Sequence, residues 1–322
     1  MNITRLVAAT VAIVGATGFA AMAEITRPEC IAPANPGGGF DLTCRVAQAG
    51  LAEQFKEPMQ VTFMPGGIGA VAYNLFNTTR TDDGNAIVAF SSGSLLNIAT
   101  GKYGAWTEND VRWLASAGTD YGAVVVKADS PYQTLDDVMK AAKADPASIV
   151  FGAGGSVGSQ DWMKAAILLK AVGADPRAMR YVAFDGGGES IAALLGGSIQ
   201  VYTGDVAEQA AHIGAGTMRV LAVMSPERLG PPYDAFPTAR EQGYEVVWPI
   251  VRGYYVGKNV SDADYNTWVA AFNAAYATEG FTKNQAEKGL LPYNKAGAEF
   301  EAEMKAGVEN MRTIAREAGL IQ

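Results

Sequence analysis

Three glycine-rich loops carry the residue types in this chain that could do chemistry. Pro36-Gly37-Gly38-Gly39-Phe40-Asp41 follows a short apolar run and opens a helical pattern. Consecutive glycines leave backbone amides bare at a helix N-terminus, a place that binds an anion without any charged side chain. The structural alternative is a tight turn in which Asp41 caps a helix over 42–55. The two are compatible, because a cap satisfies one amide and leaves others free. Gly154-Gly155-Ser156-Val157-Gly158, continued by Ser159 and Gln160, has the same strand-to-helix setting, as does Asp185-Gly186-Gly187-Gly188. Three such termini converging on one cleft are a stronger signal than any one alone. Charge-assisted hydrogen bonds of about 1.5–3 kcal/mol each would let a few amides and hydroxyls hold a carboxylate. Arg252 stands in an apolar extended segment. It is a candidate for pairing an additional carboxylate bidentately, and equally for a structural ion pair. Of the tryptophans, Trp248 is the one expected nearest the cleft.

The same residues also match the patterns of other chemistries. Gly154-Gly155-Ser156-Val157-Gly158 matches G-x-S-x-G, and Asp205 and His212 follow in the chain order of a hydrolase triad. Against this, five-residue matches are common in a chain with 37 glycines, and His212 lies in the helix-like stretch 208–213, close after Asp205. Gly67-Ile68-Gly69-Ala70-Val71-Ala72 matches G-x-G-x-x-A after a strand. A dinucleotide site wants an acidic residue at the end of the next strand, yet that strand, 86–90, ends in Ser91-Ser92. His212 is the only histidine and no Cys/His cluster exists, so no metal is expected, and neither is a cofactor or a catalytic residue.

The elements that must position these loops alternate between strand-like and helix-like segments. Strands are expected over 60–64, 86–90, 111–117, 122–127, 148–153, 180–184, 199–203 and 218–224, with 246–256 extended. Helices are expected over 70–77, 135–144, 161–172, 189–195, 262–277 and 297–318. Thr134 is a good N-cap for the second of these. The alternation argues for an α/β fold with largely parallel sheets. Crossings between lobes near Val126 and Ser225 would build one lobe from 24–125 and 226–322, and the other from 126–225. The cleft would lie at the strand ends, where open α/β sheets bind ligands.

Residues 1–23 read as a secretory signal peptide, with Arg5 as the positive n-region, an apolar run, and Ala21-Met22-Ala23 as the cleavage site. A retained anchor would need a longer apolar stretch than this Ala- and Gly-rich one. The localisation that follows is periplasmic. The formal net charge of −8 argues against nucleic acid and anionic membrane surfaces as partners, so affinity for an anion must be local. Cys30 and Cys44 bracket the first loop. In an exported protein they read as a disulfide, with two buried thiols as the alternative.

Several motifs, taken in order, resemble a known family. They are Pro36 to Asp41, Met64-Pro65-Gly66-Gly67-Ile68-Gly69-Ala70, Gly154-Gly155-Ser156 with Gly158-Ser159, and Gly186 with Leu194-Leu195-Gly196-Gly197. Together they are similar to the periplasmic solute-binding subunits of tripartite tricarboxylate transporters, the Bug family, over about 26–318. The resemblance implies a two-lobed periplasmic-binding-protein fold, the type II Venus flytrap, each lobe a mixed, mostly parallel sheet flanked by helices. It implies a monomeric, non-enzymatic receptor that hands a small organic carboxylate to membrane subunits. By position, the carboxylate-holding roles fall on Gly37, Gly38, Gly39, Phe40 and Asp41, and on Gly154, Gly155, Ser156 and Ser159. Gly186, Gly187 and Asp205 fall on the matching edge of the second lobe. Gln160-Asp161 depart from the Thr/Ser-x-x-His pattern that many members show. The Cys30/Cys44 pair and Val251-Arg252-Gly253-Tyr254-Tyr255 look like the citrate-type branch. That makes citrate or a related tri- or dicarboxylate the expected ligand, with Arg252 as partner of a spare carboxylate.

Overall fold

The computed structural model describes residues 24–322; the signal-peptide reading of 1–23 lies outside the described residues. The strands are β1 (Glu29–Ala32), β2 (Gln60–Phe63), β3 (Ala86–Ser91), β4 (Val111–Tyr121), β5 (Ala123–Lys127), β6 (Val150–Gly154), β7 (Arg180–Phe184), β8 (Val201–Tyr202), β9 (Met218–Val223) and β10 (Pro249–Gly257). They form two five-stranded sheets, ordered β2-β1-β3-β10-β4 and β7-β6-β8-β5-β9. β1 runs parallel to β2 and β3, and β6 parallel to β7 and β8. β10 is antiparallel to both neighbours in the first sheet, and β5 to both in the second. Each sheet is therefore mixed with a single reversed strand, and in each the reversed strand is one that enters by a crossing from the other lobe.

Helices cover the sheets. Around the first lie α1 (Gly39–Gly50), α2 (Ala70–Thr78) and α3 (Ser92–Ala99); α4 (Leu135–Ala144), α5 (Gln160–Ala171), α6 (Gly187–Leu195) and the short α7 (Ala210–Gly214) accompany the second. The C-terminal helices α8 (Asp262–Tyr276), α9 (Glu279–Glu287) and α10 (Ala298–Glu317) return to the first. Several of the helices, α3, α4, α5, α8 and α9, start where a Ser or Thr side chain accepts an orphan amide. The Thr134 hydroxyl accepts from Asp137 N at 3.2 Å while Asp137 Oδ2 accepts from Thr134 N at 2.9 Å, a capping box. α10 buries Phe300, Met304, Val308, Met311 and Ala315, spaced three or four apart, as one apolar stripe. Phe90 and Trp113 meet edge to face at 4.6 Å in the core beneath it.

The crossings differ from the sequence expectation. The chain changes sheets at Gly122, so Ala123–Val125 belong to the second sheet rather than to the first lobe. The return comes after Trp248, not at Ser225. Ala239 N donates to Val223 O at 2.9 Å, and Leu229 and Tyr233 pack into the core of the second lobe, so residues 226–248 stay with it. That stretch has no strand period, which hid its attachment. The two crossings are laced together by Gly122 N to Trp248 O at 3.0 Å, Met224 N to Gly122 O at 2.7 Å and Trp248 N to Met224 O at 2.8 Å. Trp248 is thus a packed residue of the crossing and does not line the cavity described below.

Cys30 of β1 and Cys44 of α1 form a disulfide, with Cα atoms 5.6 Å apart. It ties the strand before the first glycine loop to the helix after it. Among the described residues no helix is long and apolar enough to cross a membrane.

Candidate functional site

α1 and α6 point their N-termini at each other across the lobes. Both begin at a glycine cap, Gly38 and Gly186, and neither cap offers a side chain to the free amides. The approach is backbone to backbone. A Cβ on Gly38 would stand 2.9 Å from the amide nitrogens of Gly187 and Gly188, and one on Gly188 would run into the Pro36 carbonyl. Asn35 Nδ2 donates to Glu189 Oε1 at 2.5 Å beside this contact. Asp41 is the third residue of α1 rather than its cap, and its Oδ2 accepts from Gly37 N at 2.9 Å.

The junction of the two termini holds a carboxylate, and it belongs to the protein. Glu208 Oε2 accepts from Gly39 N at 2.7 Å, and Oε1 accepts from Asp205 N at 3.0 Å and from the Tyr202 hydroxyl. A Cβ on Gly187 would lie 2.5 Å from Glu208 Oε2. Helix N-termini favour such a charge through amide donors and the helix dipole.

Behind this lies a buried ionic network that joins the lobes. Arg252 of β10, 2% exposed, places Nη2 2.6 Å from Asp205 Oδ2 and 3.3 Å from Asp120 Oδ2. Gly39 permits this, because a Cβ there would collide with the guanidinium. Lys164 of α5 places Nζ 2.5 Å from Asp205 Oδ1, 2.7 Å from Asp161 Oδ1 and 2.8 Å from the Gly204 carbonyl. Three carboxylates, Asp120, Asp161 and Asp205, thus share two cations, with Glu208 held beside them by the Asp205 amide. Burial pushes Asp120 up to about 7, with Arg252 opposing and Asp205 adding to the rise. Burial likewise pushes Asp161 up to about 7 against the pull of Lys164. Burial and then Asp205 raise Glu208. Burial alone would lower Lys164 and Arg252, but their carboxylate neighbours outweigh it and hold both above the usual range.

These elements enclose a cavity of about 40 Å³. Of the residues singled out in the sequence, Gly39, Phe40, Gly154, Ser159, Gly186, Gly187, Asp205 and Arg252 line it. Gly155 and Ser156 instead line an adjoining chamber of about 140 Å³, and Gly37, Gly38 and Asp41 face an outer pocket with Arg45 and Lys288. Asn97, Gln160, Asp161 and Glu208 also line the cavity, and Lys102 the chamber; sequence reasoning did not select them for the site. Ser159 spends its hydroxyl on structure, donating to Gly154 O at 3.0 Å and accepting from Trp162 N at 3.3 Å. Ile68 lines both spaces at φ 50°, a left-handed conformation costly for a β-branched residue. The Tyr103 hydroxyl fixes it by donating to Ile68 O at 2.6 Å.

The hydrolase arrangement is not assembled. The Ser156 hydroxyl accepts from Lys102 Nζ at 3.4 Å, the Asp205 carboxylate pairs with Arg252 and Lys164, and no hydrogen bond joins His212 to either among the described residues.

Comparison with known proteins gives this cleft its context. Residues 43–320 match the family described as "Tripartite tricarboxylate transporter family receptor". BugT of Bordetella pertussis is 26% identical over 252 residues, 76% of either chain. The solved periplasmic binding protein BugD shares the fold with a TM-score of 0.82 at 18% identity, over 92% of this chain and 98% of its own. MatC of Rhodopseudomonas palustris, solved with bound malate, has a TM-score of 0.80 at 17% identity, over 90% of this chain and 98% of its own. Two mixed sheets joined by paired crossings are the two-lobed fold of those binding proteins. The chain belongs to the tripartite tricarboxylate transporter family receptors, periplasmic solute-binding proteins rather than enzymes.

Proposed function

We propose that this receptor captures a small organic carboxylate between its lobes and delivers it, as a monomer, to the membrane subunits of a tripartite transporter. The observation that carries the reading is that all three glycine-rich loops, drawn from both lobes, meet around one cavity. The loop residues Gly37–Asp41, Gly154–Ser159 and Gly186–Gly187 stand around it, with the amides of Gly37, Gly39 and Gly154 held by Asp41, Glu208 and Asp161, and their contact across the cleft makes the closed state the one that surrounds a ligand. Lobe closure then turns on the crossings at Gly122 and after Trp248, and a ligand that favours the closed form shifts the population toward it. The malate bound to MatC supports a carboxylate as the class. Citrate and related tri- and dicarboxylates form the first set to test, with Arg252 near the bound acid. Residues 1–23 would be removed on export, leaving Glu24 as the first residue of the mature protein, which its intact mass would report.

A thermal-shift panel of organic acids on the mature protein tests the reading. A ligand at 100 times its dissociation constant adds about 2.7 kcal/mol of apparent stability. Silence toward every carboxylate, with a shift from a sugar or a nucleotide, overturns it.

A further inference from the structure

Two helices of the first lobe end in the same device. α3 ends in Thr100-Gly101-Lys102 and α10 in Ala318-Gly319-Leu320. Both glycines are left-handed, Gly101 at φ 72° and Gly319 at φ 71°. A Cβ on either would meet nothing within 4 Å, so backbone conformation alone calls for glycine there. The amides that follow bond back in the Schellman pattern. Gly101 N donates to Ile98 O at 3.0 Å and Lys102 N to Asn97 O at 2.8 Å; Gly319 N donates to Arg316 O and Leu320 N to Ala315 O, both at 2.9 Å. Such a cap stops the helix and turns the next side chain off its axis.

Both turned side chains land on one turn of the second lobe, Ser156-Val157-Gly158. Lys102 Nζ donates to Val157 O at 2.9 Å and to Ser156 Oγ at 3.4 Å. A Cβ on Gly158 would stand 3.2 Å from Leu320 Cδ2 and 3.5 Å from Lys102 Nζ, so the bare glycine is what admits the pair. Lys102 is exposed, and its bonds compete with water. Leu320 is half-buried and, with Ala318 and Ile321, packs against the apolar cluster to which Trp162 and Met163 of α5 belong. The apolar half of the grip therefore contributes more than the polar half. Beside it α5 and the end of α10 stand apart, around a groove of about 390 Å³ lined by Trp162, Met163, Ile167, Ile314 and Ala318. The grip is thus a discrete contact bordered by open space, not the margin of a continuous interface.

We propose that Lys102 and Leu320 form a latch between the lobes, released each time they separate, which holds the closed form even without a ligand. Leu320 lines neither the cavity nor the chamber, so it acts on the closed population and not on a bound molecule. The test is amide hydrogen exchange and thermal melting of residues 24–322 with no ligand added. The reporter is the Gly39 amide, whose acceptor is Glu208 of the other lobe, so its exchange follows lobe separation and not fraying of α10. Leu320→Ala, which keeps the backbone bonds of the cap, is expected to speed exchange at Gly39 about five-fold or more with the Tm close to the parent's. Removal of residues 319–322 is expected to speed it further. Lys102→Met, which leaves α10 intact, is expected to act in the same direction by a smaller factor, and Lys102→Arg to restore the parent rate. Unchanged exchange at Gly39 in both Leu320→Ala and the truncation overturns the latch. So does faster exchange confined to amides 315–322, or a parallel loss of Tm and of protection throughout the first lobe, either of which would assign Leu320 to the folding of α10 alone.

Discussion

Glu208 Oε2 lies 2.7 Å from the amide of Gly39, so a carboxylate of one lobe occupies the helix N-terminus of the other. This makes Glu208 an internal anion that holds the cleft shut from the second lobe. Its neighbours make the hold conditional, because Asp205 and burial both raise its pKa and weaken the charged form. Glu208→Ala removes the contact at a loss on the order of 1.5–3 kcal/mol from the closed state, the scale of a charge-assisted hydrogen bond. Small-angle scattering of the unliganded variant is expected to show a larger radius of gyration than the parent. An unchanged radius would mean that the other interlobe contacts suffice to keep the lobes together.

Gly188 reports closure from the opposite wall. It sits in the first turn of α6, where alanine is a better helix former than glycine by about 0.5–1 kcal/mol. Its Cβ, however, would meet the Pro36 carbonyl of the facing lobe. Gly188→Ala is therefore expected to leave the unliganded Tm unchanged or slightly raised while weakening ligand affinity by ten-fold or more. A loss of both in parallel would point to damage within α6 rather than to obstructed closure.

The sequence was most legible where a local device encodes the element. Helices expected over 135–144, 262–277 and 297–318 appear as α4, α8 and α10 to within a residue at each end, because Thr134 and Ser261 cap two and a regular apolar stripe marks the third. α3 escaped because its capping residues, Ser91 and Ser94, read as loop, and α9 because its short, polar run buries little besides Phe281. At the site, the glycine loops were legible because close backbone approach leaves no other residue possible. The acid network was not, since Asp120, Asp161 and Glu208 come from separate segments and acquire their partners only in three dimensions. Glu208 had one faint signal: an acid among small apolar residues just past Gly204-Asp205.

The Cys30–Cys44 bridge fixes the wall that Glu208 engages. It closes a loop of 14 positions, for which chain entropy gives about 3 kcal/mol. Cys30→Ser with Cys44→Ser is expected to lower the urea midpoint by a corresponding amount with little change in the slope. Thiol titration of the denatured parent without reductant is expected to find no free thiol; two would remove the bridge from the account.

The buried carboxylates set a pH dependence whose sign can be worked out. Asp120 and Asp161 stand at about 7 in the folded protein against an ordinary 3.8, and Glu208 is raised as well. Between those limits the folded chain binds more protons than the unfolded one. Stability then falls as pH rises through the window, and these groups add no further slope above about 7. Paired acids nearer the surface, such as Glu108 and Glu303, are lowered and act in the opposite sense, but below the ordinary carboxylate pKa of 4.5. Between about pH 5 and 7.5 the buried set therefore dominates, and the Tm is expected to drop across that range. Asp120→Asn keeps an oxygen for the Ala207 amide, 3.2 Å from Oδ2, and removes one of the titrating groups. It is expected to flatten the slope of Tm against pH, one of the raised carboxylates being gone. A Tm that rises over the same range in the parent would show the network fully ionised when folded, with Arg252 and Lys164 outweighing burial.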